Sequence, residues 1–176
     1  IAKSLGLDIV HVEFPARYGG NIRVILGHGS QSGTATAAEV VAREQNFLRD
    51  FGRLAREVEL WRDRKGRQIR RLVAEHGPIR AKAFPGRAAI LTKLLGLTTN
   101  EIVAVHEKPG SIKIGHYVPG TRIPIVSDDE LFALGPQDKP LLNLAWHIST
   151  EIRRYLSDNG YRGPVFDILS ADDFET

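Results

Sequence analysis

The chain has 176 residues, 42% of them hydrophobic and 26% charged, a balance that fits a soluble globular protein long enough to bury a substantial core. Its 24 basic and 21 acidic residues leave a net charge of +3, and the absence of Cys excludes disulfides, thiolate zinc sites and cysteine nucleophiles. No apolar run approaches the roughly 20 residues of a membrane span and no signal-peptide pattern opens the chain, so no membrane partner and a cytoplasmic location are expected.

The first residues, IAKSLG, read as the last turns of a helix closed by Gly6, and Met is absent, so the chain is expected to be a fragment whose chemistry lies upstream. LDIVHVEF and NIRVILG are β-branched runs of strand length separated by PARYGG, which predicts an antiparallel pair. SQSGT is a polar breaker. Thr36 and Glu39 then offer a capping box for a long helical segment. Apolar residues at Val40, Phe47, Phe51, Leu54, Val58 and Trp61 share one face of that segment, and Ile69, Leu72 and Val73 resume the stripe after Gly66. Two consecutive helices, or one bent helix, are predicted to end near Gly77-Pro78. The stripe needs a partner surface, either the following domain or a second copy in a homodimer. The basic excess gathers in REVELWRDRKGRQIRR. Without interleaved aromatics this reads as a solvated helix face, and no nucleic-acid partner is expected.

From Pro78 the texture changes. IRAKAF, EIVAVHE, RIPIV, PLLNLAW and GPVFDIL are five short runs, mostly apolar throughout, as parallel strands covered on both faces require. GRAAILTKLLG, SDDELFAL with a capping box from Ser127 to Glu130, and HISTEIRRYLSDNG supply helices between them. The predicted fold is α/β: a small Rossmann-like, doubly wound, mainly parallel sheet, preceded by a β-hairpin and a long helical connector.

Several residues in this half carry possible chemistry. The first βα turn, AKAFPGR, has Ala81, Ala83 and Gly86 at the spacing of G-x-G-x-x-G, and Glu107 ends the next strand, about where an acidic ribose ligand would stand. Ala83, however, puts a methyl group where a glycine lets a pyrophosphate approach, and Pro85 removes an amide donor. Arg87, near the helix start, could hold a phosphate. None of the six His residues has the paired spacing of a helical metal site, so no metal is expected, while His106, His116 and His147 fall at or beyond strand carboxyl ends. In KIGHYVPGTRIPIV, VPGT has the pattern of a type II turn. Lys113, His116, Tyr117 and Arg122 add cationic donors and an aromatic face suited to an anionic or sugar-bearing ligand; a solvated loop explains them equally.

Taken in order, GGNIRV, AFPGRAAILTKLLGL, KIGHYVPGTRIPIV and LNLAWHISTEI resemble the C-terminal domain of the S-adenosylmethionine-dependent sugar C-methyltransferases. A K-x-G-x-Y-x-P-G-T motif is matched at Lys113, Gly115, Tyr117, Pro119, Gly120 and Thr121, and a GG-x-x-R element at Gly19, Gly20 and Arg23. The resemblance implies residues 1–34 as the last hairpin of an upstream methyltransferase core, 35–77 as a helical connector and 78–176 as the Rossmann-like domain. It implies a nucleotide-linked keto-deoxysugar as substrate, with contacts from Lys113, His116, Tyr117, Thr121, Arg122, Arg87, Glu107 and Asn21. S-adenosylmethionine would bind upstream and none to this chain, and zinc would belong to a further N-terminal domain. The family's acid/base motif, of Tyr-His-Glu-His type, is not in these residues, so no catalytic residue is carried over. The family turn of the type YGASAKGNT reads KAFPGRAAI here, with Arg87 at the usual Lys. A Pro-Trp-Asn element becomes Ala145-Trp146-His147. Readings from other classes are a nucleotide-binding module of an oxidoreductase, against which Ala81 and Ala83 speak, and a helix-mediated interaction domain.

Overall fold

The computed structural model describes residues 1–15, 21–29, 37–135 and 138–174. They form two compact units, Ile1–Ala55 and Arg56–Thr176, the division falling inside a long helix.

In the first unit a single 3-10 turn, Lys3–Leu5, closes at Gly6 with φ +67°, the left-handed cap that IAKSLG predicts. The expected hairpin follows: β1 (Asp8–Glu13) pairs antiparallel with β2 (Arg23–Gly27), and Arg23 faces Glu13 across it in an ion pair. The turn residues 16–20, with Gly19 and Gly20, lie outside the described residues, as do the breaker 30–34 and Thr36 of the expected capping box. Helix α1 (Ala37–Glu44) is followed after two residues by α2 (Phe47–His76), a 30-residue helix. The helical segment is thus divided, as the sequence allows, but at residues 45–46 and not at Gly66. Gly66 is buried within α2 between Lys65 and Ile69, and packing there offsets its cost of about 1 kcal/mol relative to Ala. Of the expected apolar stripe, Phe47, Phe51 and Leu54 are exposed, with the Phe47 and Phe51 rings stacked 5.8 Å apart. Val58 and Trp61 instead join the core of the second unit.

That second unit is a five-stranded parallel sheet in the order β5-β4-β3-β6-β7, built from β3 (Ile79–Lys82), β4 (Ile102–Glu107), β5 (Ile125–Ser127), β6 (Leu141–Asn143) and β7 (Val165–Asp167). All five predicted strands are present, and the doubly wound Rossmann-like α/β fold is confirmed. Helices α3 (Ala88–Leu94), α4 (Asp128–Phe132) and α5 (Ser149–Asp158) punctuate them. One apolar cluster joins Trp61 and Ile69 of α2 to Ala81, Val105, Ile125 and Leu142; a second joins Leu131 of α4 and Ile152 and Leu156 of α5 to Leu141 and Tyr161. Alternation along the strands assigns these clusters to opposite faces of the sheet. Two polar anchors fix α2 beside the first cluster: the Trp61 indole donates to Ile168 O at 3.3 Å, and Lys65 donates to Asp167 O at 3.1 Å while pairing with Asp173 at 3.0 Å. At the start of α4 the cap is made by Ser127, whose hydroxyl accepts from the Asp129 amide and donates to the Asp129 carboxylate; the N-cap is as expected, but the reciprocal contact of a capping box with Glu130 is not formed.

The link from β4 to β5 has no helix. Its return leg folds back antiparallel on β5: Gly115 N donates to Ile125 O, Ile125 N to His116 O and Val118 N to Ile123 O. The hairpin tip is the expected type II turn, with Gly120 at φ +76° and Thr121 N donating to Val118 O at 3.0 Å. Thus the polar stretch stands where a crossover helix would be because it serves as an extra strand covering the sheet edge.

Candidate functional site at the carboxyl edge of the sheet

The strand order reverses between β3 and β6. Ligands of open α/β sheets gather in the crevice outside the carboxyl ends at such a point. Here it lies between the turn after Lys82 and the segment after Asn143, held together by Leu144 N donating to Lys82 O at 3.0 Å.

The turn after β3 is unusual. Ala83 has φ +60°, the one left-handed non-glycine among the described residues, and its amide donates to His106 O at 2.8 Å. The next amide, of Phe84, donates to Oε1 of Glu107 at 2.6 Å. Lys113 clamps the same place, its Nζ 2.6 Å from Phe84 O and 3.1 Å from Glu107 Oε1. The amide that a bound phosphate would take in a nucleotide-binding turn is therefore held by the protein's own carboxylate. Both of those contacts use one oxygen of Glu107.

Beneath this turn lies a buried ion pair that sequence reasoning missed. Lys82 Nζ is 2.8 Å from Asp128 Oδ2, and the Tyr155 hydroxyl donates to the same oxygen at 3.0 Å. Burial pulls the Lys82 ammonium below its ordinary pKa against the opposing pull of Asp128, and burial followed by the Asp128 contact pushes Tyr155 up to about 12. Lys108, just beyond β4, places its Nζ 4.4 Å from the centre of the Tyr155 ring, a cation–π contact. A Lys at the end of an apolar strand was the available signal, whereas Asp128 read as an ordinary helix-start residue. His106 is wholly buried, with Nε2 3.0 Å from Arg80 Nη1 and Nδ1 3.2 Å from Ser127 O. Its position next to the carboxyl end of β4 is as expected, but the ring is buried among these partners, and burial holds its pKa below the ordinary value.

Across the crevice, buried Asn143 accepts from Ala145 N at 2.9 Å and donates to Asp167 at 2.7 Å. Asp167 in turn accepts from Ser149 and from Arg153. This network orients the segment carrying Trp146 and His147, whose rings meet edge to face 5.4 Å apart.

The residues singled out from sequence are not all gathered here. Lys113 and Glu107 meet at the turn, and Arg87 is exposed directly before α3. His116 and Tyr117 are exposed on the hairpin arm. The Thr121 hydroxyl donates to Val118 O and accepts from Ile123 N, holding the turn. Arg122 lines an open cleft with Thr98 and Thr99, which precede β4, so it lies toward the amino edge and not beside the carboxyl ends as its motif suggested. Asn21 belongs to the first unit. Among the described residues no cluster of His, Asp and Glu could hold a metal ion, and no helix is long and apolar enough to cross a membrane.

No curated protein matches the chain. The sequence profile of the C-methyltransferase C-terminal domain matches residues 16–166, from the turn before β2 through the helices and the sheet into β7. The chain belongs to the C-methyltransferase C-terminal domain family.

Proposed function

We propose that this chain is the substrate-side domain of an S-adenosylmethionine-dependent C-methyltransferase acting on a nucleotide-linked keto-deoxysugar in the cytoplasm. In this reading residues 1–34 complete an upstream catalytic core, 35–77 connect, and 78–176 position the sugar nucleotide. The core would hold S-adenosylmethionine as the methyl donor and supply the base that removes a proton beside the keto group; zinc would belong to a further domain. The sheet domain contributes orientation, which raises the rate by holding reacting atoms in place.

One observation carries the assignment of substrate contact. Glu107 stands at the carboxyl end of the second strand, with Oε1 engaged by Phe84 N and Lys113 and Oε2 without a partner among the described residues. Its side chain keeps 13% exposure, and in this reading Oε2 accepts a sugar hydroxyl. Lys113 offers positive charge beside it. In the full-length enzyme, Glu107→Gln is expected to raise KM for the sugar nucleotide about 10-fold, the loss of one charge-assisted bond, while KM for S-adenosylmethionine stays unchanged. Arg122→Ala, at the other edge, is expected to change neither. Unaltered sugar-nucleotide kinetics in Glu107→Gln would overturn the assignment.

A further inference from the structure

A second concavity lies at the opposite, amino edge of the sheet. It encloses about 270 Å³ against Ile79 and Arg80 of β3, Leu131 of α4, Leu134 just beyond it, and Lys139 and Tyr161. Its walls combine apolar side chains with polar ones, and Tyr161 is tied back by donating its hydroxyl to Lys139 O. Its charges are of one sign. Among the described residues Arg80, Lys139 and His76 line it and no carboxylate does; Asp138 and Glu130, which act on Tyr161 and His106 respectively, lie outside the lining.

Arg80 gives the cavity its character. Its only hydrogen bond among the described residues runs from Nη1 to His106 Nε2, and it has no carboxylate partner there. The His106 ring, whose Nδ1 faces the Ser127 carbonyl, is assigned as the tautomer that donates from Nδ1 and accepts at Nε2, and such a ring is neutral. A half-buried guanidinium thus leans on an uncharged acceptor, with the rest of its donor fork unmatched. Guanidinium geometry suits a carboxylate, which would match the donors left open.

We propose that this amino-edge cavity binds a small organic carboxylate with an aromatic or branched apolar body, its charge held by Arg80 and Lys139 and its body resting on Leu131, Leu134 and Ile79. The volume admits a body the size of a single ring and excludes a nucleotide. The site lies on the other edge from Glu107, so the inference stands or falls apart from the proposed methyltransferase role.

Phenylacetate is a suitable probe, titrated into the 176-residue chain while backbone amide resonances are followed. The expected result is saturable shifts at Arg80, Lys139 and Tyr161 with millimolar affinity. Lys139→Ala, at an exposed position, is expected to weaken binding about 3- to 10-fold. Leu134→Trp, which fills the mouth from a half-exposed site, is expected to abolish it while leaving the melting temperature within a few degrees. Phenethylamine, with the same body and opposite charge, should give no saturable shift. The proposal is overturned by absence of saturation at about 20 mM phenylacetate, by an equal response to phenethylamine, or by binding that neither substitution alters.

Discussion

Lys82 Nζ sits 2.9 and 2.8 Å from the two carboxylate oxygens of Asp128, and each side chain is only 1% exposed. Removing one partner of such a pair leaves the other charge buried alone. Asp128→Ala is therefore expected to cost about 3–5 kcal/mol, read from urea unfolding, whereas Lys82→Met combined with Asp128→Leu should recover most of that loss. Equal losses in the single and double variants would mean that the pair contributes through shape and not through charge.

Ala83 occupies the left-handed region at φ +60°, where a Cβ is strained. Ala83→Gly should stabilise the chain by up to about 1 kcal/mol, less the entropy of a freer unfolded state. Ala83→Val should destabilise it more strongly than Ala usually tolerates. Denaturant midpoints of the two variants check both directions.

The Thr92 hydroxyl is buried in α3 with no hydrogen-bond partner among the described residues. Thr92→Val keeps the shape and removes the unsatisfied group, so a gain of about 1 kcal/mol in unfolding free energy is expected. A loss of similar size would indicate that the hydroxyl is bonded through water.

His106 carries a pKa below 6.5, chiefly because it is buried, with Ser127 O and the Asp128 and Glu130 carboxylates pulling it up and Arg80 pushing it further down. Below pH 6.5 the unfolded chain takes up a proton that the folded ring resists, so stability falls as pH drops toward the lowered folded value. His106→Gln, which can still accept from Arg80 and donate to Ser127 O, should flatten that slope. Unfolding free energies measured from pH 7 to pH 5 in both proteins decide it; identical slopes would assign the acid sensitivity to other groups.

The sheet was legible in the sequence because its strands are buried on both faces and read as short apolar runs such as EIVAVHE, set off by Gly and Pro. The type II turn at Gly120 and the cap at Ser127 were legible because each depends on local chemistry. The site was less so. Glu107 was identified as a strand-end carboxylate, but its grip on the Phe84 amide depends on which strands become neighbours, and no spacing rule contains that. Lys82, Asp128 and Tyr155 come from three separate segments, each with an ordinary local reading; only the sheet order brings them together. Arg122 parts from Lys113 for the same reason. Its motif is contiguous with Lys113, yet the arm between them reverses direction and carries it to the opposite edge. The break in the helical segment was misread at Gly66 because glycine's weak propensity was overridden by burial between Lys65 and Ile69.

The strand order has a consequence for how the chain is made. β3 is central, with β4 on one side and β6 on the other, and β6 is encoded some 60 residues later than β3. At ribosomal rates of about 5–20 residues per second, β3 emerges roughly 3–12 seconds before the strand that completes it. During that interval the edge destined for Leu141–Asn143 is an unpaired template, able to recruit a strand from another nascent chain. Aggregation in cells should therefore respond to translation speed between residues 83 and 140, a dependence set by topology and independent of final stability.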